Sequence, residues 1–400
     1  RYGVSVVARR RRLVDAKVLE VLEASPDAAP SRCPHFGSNG GPCGGCTFQH
    51  LAYDAQLAAK RQRVTAALAP LLGTGVTVEP VIGMAHPWHY RNKLDFTFGA
   101  RRYRAEGDHP ERDATFALGL HVPGMWSKVL DVERCAIAFE GADTVLGTVR
   151  RLARAASLLP WDTRQHTGLL RHVVLRRGVR TGETMLVLVT SERAAELVDP
   201  LVQGILAAHP ELTTIVQDVN ARHATIAIGQ EQFVLHGPGT IDEVLLGRRF
   251  TLSPHSFFQT NTLQAERLFE LVREEARLAP AGVVFDLYCG AGTIGLCLAD
   301  LAGEVVGFES VRRIARDPGR DREQPTDGAA TQRALDALDF TAKLLESALV
   351  SGDVHVVALL EELDEVSHDS LWDSSSRARV SIKMKGTARM AGVRHQQQKP

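Results

Sequence analysis

The run Val283-Val284-Phe285-Asp286-Leu287-Tyr288 is apolar almost throughout, and it ends in Cys289-Gly290-Ala291-Gly292 before Thr293–Leu301 begins. A short apolar run closed by glycine reads as a buried strand, and the segment after it has helical spacing. With a second strand at Glu304–Glu309, the pattern is the βαβ opening of a doubly wound sheet. That pattern dictates an α/β fold with parallel strands, right-handed crossovers and a ligand crevice at the strands' carboxyl ends. Gly290 and Gly292 let the backbone approach a nucleoside cofactor. Glu309, 23 residues after Asp286, can accept from ribose hydroxyls at the second strand's tip. Gly290, Gly292 and Gly295 also spell G-x-G-x-x-G, so a dinucleotide stays open, as does a turn that serves only the fold. The acidic strand end in D-x-x-C-G-x-G favours S-adenosylmethionine. Cys289 in the loop and Cys297 on an apolar helix face read as packing residues.

The second constraint is Cys33-Pro-His-Phe-Gly-Ser-Asn-Gly-Gly-Pro-Cys43-Gly-Gly-Cys46, with Cys135 far downstream in Asp-Val-Glu-Arg-Cys. Two thiolates spaced C-x-x-C grip one metal because the intervening turn points both sulfurs inward, and Gly44-Gly45 permits that turn. Three local cysteines and one distant one make a tetrathiolate pattern. It suits zinc or a [4Fe–4S] cluster, and spacing alone favours zinc as the commoner occupant. The bland alternative for Cys135 is a buried apolar cysteine. His35 and His50 read as ordinary polar residues rather than ligands.

Six cysteines in 400 residues argue against a disulfide framework, and the three clustered ones point to metal or redox chemistry. The hydrophobic share of 44% and charged share of 24% are those of a globular protein, and the length calls for two or three domains. No apolar run is long enough to span a bilayer and no signal-peptide core is present, so the cytoplasm is expected. Net charge is zero overall, but residues 1–104 hold 15 Lys and Arg against 7 Asp and Glu. A basic front end suits a polyanion, although a solvated charged surface would show the same count.

Residues 1–25 alternate like two strands about Arg9–Arg12 and resemble the end of a small β-barrel. Residues 25–30 form a linker by composition. A helix is predicted over about 53–72, with Leu57, Val64 and Leu68 apolar and Lys60, Arg61 and Arg63 on a basic face. Between 81 and 252, β-like runs at 94–98, 172–175 and 185–189 and helical stretches around 141–158 and 193–208 predict a separate α/β domain. A helix at about 261–277 leads into the glycine-loop strand. Residues 312–332 are polar and aperiodic, 333–349 could form an amphipathic helix, 354–363 a strand or helix, and the end from Ser367 reads as disordered.

Four stretches together resemble the RNA 5-methyluridine methyltransferase family, in the iron–sulfur branch that modifies 23S ribosomal RNA. They are Cys-Gly-Gly-Cys-Thr-Phe-Gln-His (43–50), Tyr-Arg-Asn-Lys-Leu-Asp-Phe-Thr-Phe-Gly (90–99), Ser-Phe-Phe-Gln-Thr-Asn-Thr (256–262) and Asp-Leu-Tyr-Cys-Gly-Ala-Gly-Thr-Ile-Gly-Leu (286–296). The likeness covers about residues 1–309. It implies a [4Fe–4S] cluster on Cys33, Cys43, Cys46 and Cys135, against the zinc that spacing alone favours. Family members usually place five residues between the first two ligands. Here there are nine, which a loop insertion at Ser38–Gly41 would accommodate. The resemblance further implies that Gln259, Tyr288 and Glu309 contact S-adenosylmethionine, with Gly290 and Gly292 in the cofactor loop and Thr293 facing the cofactor. Arg9–Arg12, Arg91 and Lys93 become phosphate contacts.

The implied reaction methylates C5 of a flipped-out or unpaired uridine in 23S rRNA. A cysteine thiolate adds to C6, C5 attacks the sulfonium methyl, and a base removes the C5 proton. The family carries that thiol in Ser-Cys-Asn, after Asp-Pro-Pro-Arg and before a catalytic glutamate. None of these follows Glu309. No cysteine occurs after Cys297, and Asp317-Pro-Gly-Arg comes too early to be the proline motif. No catalytic residue is therefore assigned, and the 400 residues are expected to be inactive in transfer. The alternatives are an iron–sulfur oxidoreductase using a dinucleotide at Gly290–Gly295, and a non-catalytic RNA-binding protein. The expected architecture is α/β: a partial OB-like RNA-binding barrel (1–25), a cysteine-cluster loop and helix (26–80), a central α/β RNA-recognition domain (81–252), the start of a Rossmann-like S-adenosylmethionine domain (253–309) and a divergent segment (310–400). A monomer is expected.

Overall fold

The computed structural model describes residues 2–10, 13–37, 43–72, 77–104, 114–224, 226–308, 330–332 and 355–357. All of them lie in one compact unit, Arg1–Ala358; the other, Leu359–Pro400, is outside the described residues.

The first element is an antiparallel hairpin of β1 (Tyr2–Arg10) and β2 (Leu13–Val21), with Arg11 and Arg12 outside the described residues. Val4, Val6, Val14 and Val21 are exposed on it, so among the described residues it is a two-stranded ribbon. Helix α1 (Tyr53–Leu72) forms where predicted. Its face differs from expectation, because Val64 and Leu68 are exposed. A helix this rich in Lys, Arg and Gln buries little, and Tyr53 rather than the later apolar residues ties it down, accepting from the Met84 N–H at 2.8 Å.

The central region is a seven-stranded mixed sheet in the order β5-β4-β3-β6-β7-β8-β9. Its strands are β3 (Lys93–Gly99), β4 (Ala117–Val122), β5 (Met125–Asp131), β6 (Leu170–Arg177), β7 (Thr184–Thr190), β8 (Thr214–Val219) and β9 (Glu231–His236). Neighbours are antiparallel except β7 and β8, which helix α3 (Ala195–Ala208) joins as a crossover. The runs 170–177 and 184–190 are buried nearly throughout, as expected of strands covered on both faces. Helix α2 (Ala142–Ala155) buries Val145, Leu146, Val149 and Ala153, a three-to-four spacing that makes one apolar stripe. That stripe and α3 pack over Leu94, Phe96, Phe98, Val173, Leu175, Leu186 and Leu188. Strand alternation sends Thr97, His172, Arg176 and Asp218 to the opposite face. The polar character of that face positions the site.

A hairpin of β10 (Ile241–Leu245) and β11 (Arg248–Leu252) follows, then α4 (Thr262–Ala276). Next come β12 (Val283–Leu287), α5 (Thr293–Leu298) and β13 (Glu304–Phe308). Strands β12 and β13 are parallel, confirming the βαβ unit, and β14 (Ala330–Gln332) and β15 (His355–Val357) extend the parallel sheet in the order β14-β13-β12-β15. The segment read as aperiodic thus ends in a strand, and 354–363 supplies a strand rather than a helix at its start. The helix at 333–349 and the disordered end fall outside the described residues. No described helix is long and apolar enough to cross a membrane.

Candidate functional site

The donor loop leaves β12 in a left-handed turn. Tyr288 has φ +58°, Gly290 +49° and Gly292 +70°. A left-handed conformation costs a tyrosine about 1 kcal/mol and glycine almost nothing, so the loop spends strain at one residue. Tyr288 is 47% exposed, an aromatic face presented at the strand's carboxyl end. Beneath it the loop is rigid. Gly292 donates to the Cys289 carbonyl at 2.5 Å, and Cys289 donates to Phe308 at the end of β13 at 2.9 Å. Asp286 is buried and accepts from the Gly295 N–H at 2.9 Å. Its carboxylate therefore fastens the strand to α5. A side chain at 295 would meet Asp286 Oδ2 at 2.8 Å and Val305 at 2.9 Å, so the third glycine of the motif serves close packing. Thr293, expected to face the cofactor, is buried. Glu309 lies outside the described residues.

The second half of the site is the loop 253–262, laid on the polar face of the central sheet. Buried Arg176 of β6 donates to the carbonyls of Ser253 at 2.8 Å and Ser256 at 2.5 Å. Asn92, also buried, donates to the Gln259 carbonyl and to Thr262 Oγ1, each at 2.9 Å, while its N–H donates to Thr260. Thr262 Oγ1 in turn donates to Glu243 at 2.7 Å. The Glu243 carboxylate, fully buried, also accepts from the N–H groups of Val179, Arg180 and Val244. Gln259 is thus held by its own backbone and is partly exposed as a residue. Asn261 caps α4 by accepting from Gln264 N–H at 3.2 Å, and α4 meets α5 through Arg273, which donates to the Cys297 carbonyl and pairs with Asp300. Asn92, Arg176 and Glu243 were not singled out in the sequence. Each sits beside other charged residues in the sequence (Arg91 and Lys93, Arg177, Asp242), so no local signal marked it.

The cysteines occupy the other side of the segment 89–92. Cys33 and Cys135 are buried, Cys43 and Cys46 partly so. Burial pushes the Cys43 thiol up to about 11, opposed by the Gly45 N–H at 3.4 Å and reinforced by Cys33, Cys46 and Cys135 as neighbours. Burial likewise raises Cys46, against a hydrogen bond with Gln49. It raises Cys135 too, against the N–H groups of Ile137 and Ala138. The four thiols therefore share one electrostatic neighbourhood. Among the described residues, however, no group of three or more ligating side chains has metal-holding geometry. His35 accepts from the Glu133 N–H at 3.0 Å, and His50 stacks on Phe36. The inserted loop at Ser38–Gly41 is outside the described residues. His89 donates its N–H to Ala136 and Arg91 to Ile137, so the loop of Cys135 and the loop of Gln259 are bonded to opposite sides of one segment.

Of the expected phosphate contacts, Arg91 donates to the Lys93 carbonyl at 3.0 Å, and Lys93 lies 3.8 Å from Asp95. Arg9 and Arg10 end β1.

The described fold resembles that of the Pyrococcus abyssi tRNA (uracil-54, C5)-methyltransferase in complex with S-adenosyl-L-homocysteine. The TM-score is 0.61 at 24% identity, over 83% of this chain and 71% of that one. Fold and donor loop together define an α/β methyltransferase with a Rossmann-like half and a large mixed sheet. A Chlorobaculum tepidum protein named as an uncharacterised RNA methyltransferase is 37% identical over 329 residues, covering 81% of this chain and 67% of that protein. One from Halalkalibacterium halodurans is 37% identical over 306 residues, covering 76% and 63%. The chain belongs to this family of RNA methyltransferases and spans about two thirds of the length of these relatives. No family model matches it. The ligand of the Pyrococcus abyssi protein, S-adenosyl-L-homocysteine, is of the class that the Asp286–Gly292 loop favours over a dinucleotide.

Proposed function

We propose that this chain derives from an S-adenosylmethionine-dependent enzyme that methylates C5 of a uridine in 23S rRNA, acting as a cytoplasmic monomer. The observation that carries the reading is the pairing of the left-handed Tyr288–Gly292 turn with a Gln259 loop clamped by Asn92. Tyr288 supplies an aromatic wall, the glycines backbone approach and Gln259 an amide for the methionine end. Glu309 is assigned to the ribose on the family likeness alone. The β1–β2 hairpin is read as part of an OB-like RNA-binding barrel, and residues 81–252 as the RNA-recognition domain.

Cys33, Cys43, Cys46 and Cys135 would hold a [4Fe–4S] cluster, with zinc the lesser alternative. The chemistry that supports this is four thiols, three from the 33–46 loop and one from the Cys135 loop, with N–H groups of Gly45, Ile137 and Ala138 directed at two of the sulfurs. Bound metal would supply charge compensation for four thiolates and staple the loops that flank His89–Asn92.

Uracil C5 becomes nucleophilic only after a thiolate adds to C6. Cys289 and Cys297 are both buried, and that burial pushes the Cys297 thiol up to about 12, so Cys297 stays protonated and neither sulfur faces solvent. No later cysteine exists in the 400 residues. The reading is therefore a chain that binds donor and RNA without turning over. Incubation with methyl-labelled S-adenosylmethionine and a 23S rRNA transcript tests it. No 5-methyluridine is expected; its formation, surviving Cys289→Ala and Cys297→Ala, would overturn the inactivity.

A further inference from the structure

Beyond the donor site, one region of the central sheet gathers aromatic and cationic side chains with no role in the account so far. Trp126 on β5 is 63% exposed, and the Arg164 guanidinium lies over its ring at 5.6 Å. Arg164 belongs to the turn 162–167. Asp162 Oδ1 fixes that turn by accepting from the N–H groups of Arg164 at 2.7 Å and Gln165 at 3.1 Å. Two residues on, exposed His166 stacks flat on exposed His223, with centroids 4.0 Å apart and planes 11° from parallel. The ring of Trp161 stands 6.1 Å from His166.

The supports beneath these rings are built, not incidental. Arg171 is 1% exposed, stacks on Trp161 at 4.5 Å, and donates to the carbonyls of Asn220 at 2.8 Å, Arg222 at 2.6 Å and Ala224 at 2.6 Å. It thereby fixes both the ring below His166 and the loop that carries His223. No carboxylate pairs with Arg171 among the described residues, so its charge is left for whatever approaches the surface. Exposed Arg164 and Arg222 add to that potential. His166 itself has φ +56°, a strained conformation for a non-glycine residue that the Asx turn enforces.

Exposed π faces interleaved with guanidinium groups are what unpaired nucleotides bind: bases stack, and phosphates meet the guanidinium groups. A duplex would call for charge without rings. We propose that Trp126, Arg164, His166, Arg222 and His223 form a stacking platform for unpaired RNA nucleotides. His255 of the loop 253–262 contacts Asp218 at 2.6 Å, and His223 follows Asp218 by five residues. The proposal rests on the reading of the chain as an RNA-directed methyltransferase, and it adds where single-stranded RNA flanking the target is held.

The full chain is titrated with a labelled single-stranded RNA and with the same sequence as a duplex, at several salt concentrations. Trp126→Ala and His223→Ala are each expected to weaken single-strand binding about tenfold while leaving duplex binding and the salt slope unchanged. Arg164→Gln and Arg222→Gln should each lower the salt slope by about one. Unchanged thermal midpoints in the two ring variants show that the fold is intact, as their exposure predicts. Wild-type binding with both ring variants within about twofold of it would overturn the platform and leave the methyltransferase reading standing, since base stacking is worth more than that. A wild-type chain that binds donor but no RNA would overturn both the platform and the RNA-directed reading.

Discussion

Asn92 Nδ2 donates at 2.9 Å to the carbonyl of Gln259, a residue 167 positions away, and the same amide reaches Thr262 at 2.9 Å. One buried side chain on the entry to β3 thus fixes the backbone of the loop proposed to meet the methionine end of the donor. Asn92→Ala leaves the Gln259 carbonyl without that donor, at a cost of about 1–3 kcal/mol. Binding of S-adenosylhomocysteine, read by calorimetry, is expected to weaken about tenfold with the chain still folded. Unchanged affinity would show that the loop is held some other way.

Glu243 anchors the far end of the same network. Its fully buried carboxylate accepts from three backbone N–H groups and from Thr262. Glu243→Gln keeps the size but turns amide hydrogens toward donors, a conflict worth about 3 kcal/mol because the lost bonds are charge-assisted. A clearly lowered thermal midpoint is expected; a variant as stable as wild type would contradict the network.

Gly295→Ala places a methyl 2.8 Å from Asp286 Oδ2 and 2.9 Å from Val305. Overpacking of this kind costs about 1–3 kcal/mol. It should also shift the donor loop, so both thermal midpoint and donor affinity fall. Loss of stability alone would place the loop's geometry outside Asp286's control.

Asp300, just after α5, pairs with Arg273 of α4 and Arg248 of β11. Hydrogen bonding to Arg273, with help from Arg248, holds its carboxyl well below the usual range. A folded-state value below the unfolded one gives stability that is present above about pH 4 and lost as pH falls toward the folded value. The gap in thermal midpoint between wild type and Asp300→Asn is therefore expected to be constant at neutral pH and to close in acid. A gap that widens in acid would reverse the assignment.

The cysteine site gives a compositional readout. Anaerobic reconstitution is expected to load iron and acid-labile sulfide in equal amounts, and Cys46→Ser or Cys135→Ser to abolish both. Zinc retained after purification, with no uptake of iron, would favour the reading that spacing alone gives.

The donor half was legible because its signals are local: an apolar run, glycines at fixed offsets and a helix entry, all within 283–308. Strand β8 was not, because Gln217 and Asp218 break its apolar run although both are fully buried. Val64 and Leu68 erred the other way, apolar at helical spacing yet exposed among the described residues. Asn92, Arg176 and Glu243 are polar residues whose meaning lies entirely in partners far along the chain. Local pattern carries no trace of such contacts.

Equilibrium dialysis of the full chain against S-adenosylmethionine and NADH tests the central claim most directly. Saturable S-adenosylmethionine binding is expected, displaced by S-adenosylhomocysteine, weakened by Tyr288→Ala and unaffected by NADH. Saturable NADH binding with no uptake of S-adenosylmethionine would contradict the account.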